Sequence, residues 1–213
     1  MRSSPLFRQT LGKLDELANP EYAAGASQFF KKPIKARGIR SPQLIELSAE
    51  LYREIKPWPV HQRDEFIIEL WKDTHIETGA LACYTYRRFA KTFTEREFHL
   101  FEHWLETYAR NWAHTDGICC YLLAPAIARF PELARELPGW TRSKNPWKRR
   151  GAAIALVNLD SAVEEAVEHR RLVATTDCRR TACHPAGDLR GSWNFLIQKA
   201  ERAESAAQLP DLG

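Results

Sequence analysis

The sequence predicts an all-α protein, an α-solenoid built from short helix pairs. Three observations predict it. Helix start and stop signals recur along the chain, apolar residues between them follow helical spacing, and no alternating run is bounded by hairpin turns. Helix pairs return at a period of about 35–45 residues, as in stacked helical repeats. The repeat is degenerate, so a globular helical bundle fits the same pattern.

Ser41-Pro42 places a capping hydroxyl before a proline at the first helical position. Leu44, Leu47, Ser48, Leu51 and Ile55 follow at helical spacing, and Pro57 and Pro59 end that helix. A second helix fits Gln62 to Lys72, with Phe66, Ile67, Leu70 and Trp71 inward, and Glu77 to Lys91 gives a third. Thr94 with Glu97 forms a capping box; Phe98, Phe101, Leu105 and Tyr108 make one face of the helix behind it. Asp116 to Arg129 is apolar almost throughout and predicts a central buried helix. Pro131 opens a short helix ending near Pro138-Gly139, and Asn145-Pro146 starts another over Trp147 to Asn158. Ser161 with Glu164 is a further capping box. From about Leu172 to Ser192 the apolar period disappears and turn residues dominate, and a helical segment resumes over Trp193 to Ala207. The expected organisation is one helical repeat domain over residues 1–171, with 172–213 as its irregular C-terminal end.

At 213 residues, 44% hydrophobic and 27% charged, the chain has a globular composition and enough length for a real core. No stretch approaches the roughly 18 apolar residues of a membrane span, and no apolar segment follows Met1 to Pro5 as in a signal peptide. The cytoplasm is the expected compartment, and a monomer the expected state. The five cysteines, Cys83, Cys119, Cys120, Cys178 and Cys183, are an odd set and read as reduced thiols. Net charge is +4, mild evidence for a polyanionic partner. Distribution says more: Lys31, Lys32, Lys35, Arg37 and Arg40 form one cluster, Arg142, Lys144, Lys148, Arg149 and Arg150 a second, and Arg170, Arg171, Arg179 and Arg180 a third.

The most informative segment is Asn111-Trp112-Ala113-His114-Thr115-Asp116-Gly117. Trp112 and Asp116 are four apart and share a face if helical. An indole face beside a carboxylate suits an electron-poor, cationic ring. Alkylation at a ring nitrogen makes a purine cationic and weakens its glycosidic bond. Positive charge then develops on the sugar as the base departs, and a nearby carboxylate stabilises it and orients water. The same two residues also fit a core tryptophan and a helix cap. In the second segment, Trp140 to Arg150, basic residues at a helix start can grip phosphates, and Gly151-Ala152-Ala153 behind them allows close helix packing. A solvated basic turn fits the same residues.

The order of these segments resembles the DNA alkylation repair (AlkD-like) glycosylase family. Phe30-Lys31-Lys32-Pro33 followed by Ala36-Arg37-Gly38-Ile39-Arg40-Ser41-Pro42 is similar to its early signature, a glycine-centred turn before a proline-started helix. Leu70-Trp71-Lys72 followed by Glu77 resembles its next block. Asn111-Trp112 through Asp116 resembles the block holding a catalytic tryptophan and aspartate. Trp140 to Leu156 resembles the block with a phosphate-contacting arginine, which falls on Arg150. The likeness spans roughly residues 25–160, in order.

This resemblance implies a HEAT-like superhelix whose basic concave face cradles duplex DNA containing alkylated bases. It implies a monofunctional glycosylase that releases cationic 3-alkyl or 7-alkyl purines without a deep base pocket, metal or cofactor, unlike the usual base-flipping strategy. Trp112 then contacts the lesion's deoxyribose and Asp116 stabilises the developing charge. Arg150, Arg149, Lys148, Trp147, Lys31, Lys32, Arg37 and Arg40 are the expected DNA contacts. The sequence departs from the family at one point. Phe195 to Ala200 resembles the first half of a late block, but the family's second tryptophan falls near Ala203, and Trp193 precedes the block. A non-catalytic module binding damaged or branched DNA, and a protein-binding scaffold, are the alternatives.

Other constellations read more plainly. His99 and His103 have metal-ligand spacing with no third partner, so solvated or packed histidines fit better. His114 suits a groove-lining residue before a general base. Cys119-Cys120 suits buried packing. Cys178 with Cys183-His184 lacks a fourth zinc ligand. Trp58, Trp71, Trp104 and Trp140 suit core or interface aromatics.

Overall fold

The computed structural model describes residues 3–156, and every regular element there is helical. The helices are α1 (Pro5–Glu16), α2 (Pro20–Ser27), α3 (Ser41–Ile55), α4 (Val60–Lys72), α5 (Ile76–Tyr86), α6 (Glu95–Thr107), α7 (Trp112–Ile118), α8 (Ala124–Arg129), α9 (Leu137–Trp140) and α10 (Pro146–Ile154). A 3-10 stretch, Arg87–Thr92, extends α5, and another, Pro131–Glu136, leads into α9. A π stretch, Cys119–Leu123, joins α7 to α8 without a break. The helix expected to start at Asp116 therefore starts earlier, at Trp112, and changes its winding midway. The Ser161 capping box, the 172–192 loop and the late helical segment lie outside the described residues.

Local chemistry sets most boundaries. Ser4 accepts from the N–H of Phe7 at 3.2 Å, with Pro5 at the first helical position of α1. Asn19 does the same for Tyr22 at 2.9 Å ahead of α2. The Thr94–Glu97 capping box forms as expected, the Thr94 N–H donating to Glu97 Oε2 at 2.7 Å. Ser41 is not the cap of α3. It is the first helical residue, and the preceding Arg40 N–H donates to Gln43 Oε1 at 3.3 Å. A glutamine at the third helical position can reach back there, so Ser41 is not required.

Helices follow one another side by side. α3 packs on α5, α5 on α7, and α7 on α10; α4 lies against α5, and α6 against α7, α8 and α10. The core between them is aromatic. Trp71, Trp104, Phe66, Phe98 and Phe101 are buried, and Tyr86 meets Trp104, Phe101 and Phe93 at ring distances of 5.2, 5.6 and 5.9 Å. Such pairs add about 0.5–1.5 kcal/mol each beyond area burial. Trp140 is also buried, and Trp58 packs at the edge of the same core, as expected of these tryptophans.

The glycine-centred turn before α3 is held from three sides. Gly38 has φ +78°, and a Cβ there would lie 2.0 Å from the Asn19 carbonyl oxygen. Only glycine fits both conditions. The buried Glu77 carboxylate at the start of α5 accepts through Oε1 from the N–H groups of Arg37, Gly38 and Ile39 at 2.9, 2.7 and 3.4 Å. The Ile76 N–H donates to the Lys35 carbonyl at 2.9 Å. The turn thus fixes the segment carrying Phe30, Lys31 and Lys32 against the start of α5.

Candidate functional site

Asn111 builds the local frame. Its side chain accepts from the N–H of His114 at 2.8 Å, and the Thr115 hydroxyl donates to its carbonyl at 3.1 Å. This starts α7 at Trp112 and puts Asp116 one turn later. Both are half-buried, while His114, Thr115 and Ile118 between and behind them are buried. Trp112 and Asp116 therefore share the open face of α7. Asp116 is not a helix cap, since Asn111 holds that place.

Each of the two has a partner from distant sequence. Phe30 stacks on the Trp112 indole, centroids 5.0 Å apart and planes 15° apart. Arg150, on α10, clasps Asp116 through two parallel bonds, Nε to Oδ1 at 2.7 Å and Nη2 to Oδ2 at 2.8 Å. The side chains are 8% and 24% exposed, so the pair is sheltered on the arginine side and open on the carboxylate side. Planar guanidinium against carboxylate fixes orientation as well as charge. α10 reaches Asp116 because Gly151 lets it approach: a Cβ there would lie 2.6 Å from Leu105 and 3.3 Å from Cys119 Sγ.

The expected cations divide by environment. Lys31 and Lys32 are exposed beside Phe30, and Arg40 is exposed with its guanidinium 4.7 Å over the Tyr22 ring. Arg37 is turned inward: 10% exposed, it pairs with Asp15 at 2.8 Å and Asp73 at 3.5 Å. Burial pulls its pKa down, but the two carboxylates outweigh that and hold it above the usual value. On α10, Lys148 is held by Glu102 and Glu106 at 2.6 and 2.7 Å and lies over Trp140. Arg149 donates to the carbonyls of Ser143 and Lys144 at 2.7 and 3.0 Å, which closes the basic turn. Trp147 packs against the core, half-buried.

His114 does not line the face. It is buried beneath Gly79, whose Cβ would sit 2.8 Å from its ring, and meets Trp71 edge-on at 5.4 Å. Burial first, then Arg110, pulls its pKa down to about 4. It packs α7 onto α5 as a neutral ring. Cys119 is buried, as expected, and Cys120 half-buried. Among the described residues, one group has metal-ligand geometry: His99, Glu102 and Glu136, without His103. Glu102 in it already holds Lys148. Cys178, Cys183 and His184 lie outside the described residues, as does the late block around Ala203.

Phe30 is the residue that sequence reasoning missed as part of this site. It was visible only as the first letter of an early motif, and its distance from Trp112 along the chain hides the stack. Chemically, the assembly offers an aromatic face with one side covered, an oriented carboxylate and exposed cations nearby. That set favours a cationic, planar group joined to a polyanion. No helix among the described residues is long and apolar enough to cross a membrane. Residues 10–200 match the family model described as DNA alkylation repair enzyme. No curated protein matches the chain.

Proposed function

Because the chain belongs to the DNA alkylation repair enzyme family, we propose that it excises cationic 3-alkyl and 7-alkyl purines from duplex DNA by hydrolysing the N-glycosidic bond. The observation that carries this reading is the placement of Trp112 and Asp116 on one open helix face, with Arg150 orienting the carboxylate. The bond from C1′ to the base nitrogen breaks, its electron pair goes to the purine, and the ring leaves neutral. Positive charge appears on the sugar. Asp116 stabilises that charge and aligns a water, whose oxygen bonds to C1′ while its proton passes to Asp116 or solvent. Trp112 packs on the lesion's deoxyribose and Phe30 braces it. No metal or cofactor enters the step.

In this reading the helix pairs are HEAT-like repeats and their open face is the basic concave surface of a monomer. Lys31, Lys32, Arg40, Lys148 and Arg149 hold phosphates, Trp147 packs beside them, and Arg150 meets a phosphate next to the lesion. Arg37 instead secures the turn that presents Lys31 and Lys32.

Release of free 7-methylguanine and 3-methyladenine from methylated duplex DNA tests the proposal. Release by the wild type and loss in Asp116→Asn supports it. A folded wild type that binds duplex yet releases neither base refutes it. That outcome selects a second reading, a DNA-binding module that excises nothing, which one sequence feature favours: Ala203 stands near where the family has its second tryptophan.

A further inference from the structure

The open face extends past Trp112 and Asp116. α5 is buried except for a stripe, Ile76, Ala80 and Tyr84, which Arg87 continues. In α7 and the π stretch, the half-buried residues are Trp112, Ala113, Asp116, Gly117, Cys120 and Tyr121. The two stripes adjoin, because α5 packs on α7 and a Cβ on Gly117 would lie 3.3 Å from Cys83 Sγ. At their far end Tyr84 and Tyr121 meet edge to face, with ring centroids 5.2 Å apart. The Arg87 guanidinium sits against both rings, 5.2 Å from one centroid and 5.0 Å from the other.

We propose that Arg87, held by Tyr84 and Tyr121, grips a DNA backbone phosphate at a second point on this face. The inference rests on the duplex-DNA reading of the Trp112–Asp116 site. Its force comes from position. Arg87 lies against two ring faces at the end of the stripe that carries Asp116, and no carboxylate among the described residues lies within ion-pair distance of it. Aromatic faces orient a guanidinium without neutralising it, and leave its N–H edge to an anion. Burial first, then Tyr84, pushes the Tyr121 phenol up to about 12, so it remains an O–H group at neutral pH. Asp116 and Tyr121 lie five residues apart on one unbroken helical run and both are half-buried on its open side, so the grip and the carboxylate belong to one face.

The experiment is a salt titration of undamaged duplex binding, by fluorescence anisotropy, for wild type, Arg87→Ala, Arg87→Lys, Tyr121→Leu and Lys13→Ala. Lys13 pairs with Glu50 at the α1–α3 side and controls for net charge. Arg87→Ala is expected to weaken binding about five- to tenfold near 0.1 M salt and to make the log–log salt slope shallower by about 0.9. Arg87→Lys should keep the slope but bind more weakly, Tyr121→Leu, which removes one of the two ring faces, should weaken binding about twofold, and Lys13→Ala should match wild type. A folded Arg87→Ala with wild-type affinity and slope overturns the inference while duplex binding stands. If Arg87→Ala does not fold, unchanged binding by both Arg87→Lys and Tyr121→Leu overturns it equally. A wild type that binds no duplex overturns the DNA reading itself, and this inference with it.

Discussion

Arg150 holds Asp116 at both carboxylate oxygens, at 2.7 and 2.8 Å, across the packing of α10 on α7. The bond couples the proposed chemistry to the fold. Arg150→Ala leaves a partly buried carboxylate unpaired and should cost about 1–3 kcal/mol in urea unfolding. Arg150→Lys should fall between that variant and wild type, because an ammonium cannot reproduce the fork.

Asp116→Asn separates the two roles. It keeps shape and removes charge. Base release should fall about 10²- to 10³-fold, the usual effect of losing one charge-stabilising group at a transition state. Duplex affinity should stay within about threefold, since one phosphate contact or fewer is altered. A quantitative base-release assay beside an anisotropy titration checks both.

Phe30→Ala uncovers the Trp112 indole. The stack joins the segment before α3 to the Trp112 ring, with centroids 5.0 Å apart. Release from methylated duplex should drop at least about tenfold, with binding to undamaged duplex unchanged within about twofold. Phe30→Tyr should retain activity. Equal release by Phe30→Ala would reduce the stack to packing.

His114 makes stability depend on pH. Its folded pKa is about 4, below the 6.5 it has when unfolded. The unfolded chain therefore binds the extra proton first as pH falls. The histidine's contribution is complete above 6.5, is lost progressively toward 4, and totals up to about 3 kcal/mol. Urea midpoints at pH 7 and 5 should differ more for wild type than for His114→Asn.

Gly38→Ala tests the turn. A Cβ 2.0 Å from the Asn19 oxygen at φ +78° cannot be relieved by a rotamer change. The substitution should cost about 3 kcal/mol or more and lower Tm by at least about 6 °C.

Much of this was legible in the sequence because it is local. Capping boxes, proline starts and helical apolar spacing act over four residues, so the Thr94–Glu97 box and the α6 and α10 starts are legible, whereas α4, with no capping side chain, begins at Val60, two residues before the expected Gln62. The Trp112–Asp116 face was legible for the same reason. Arg37 was not: a cation in a basic cluster looks solvated until Asp15 and Asp73 arrive from other helices. His114 shares its segment with both site residues, but the helix turns it to the opposite side, under Gly79. Phe30 depends on Trp112, and Arg87 on Tyr121 beside the local Tyr84, partners that only folding brings near.

The π stretch from Cys119 to Leu123 has a further consequence. Such a turn stores one surplus residue inside an unbroken helix. Ahead of it Trp112 and Asp116 look outward; behind it Ala124, Ala126 and Ile127 are buried. Removing one residue of the five would leave a plain α-helix whose two halves keep nearly their present phase, because the wider turn had already absorbed the extra residue. The stretch is thus a place where chain length can change by one. A single-codon deletion there re-winds the turn yet leaves the proposed site and the core that supports it facing as they do.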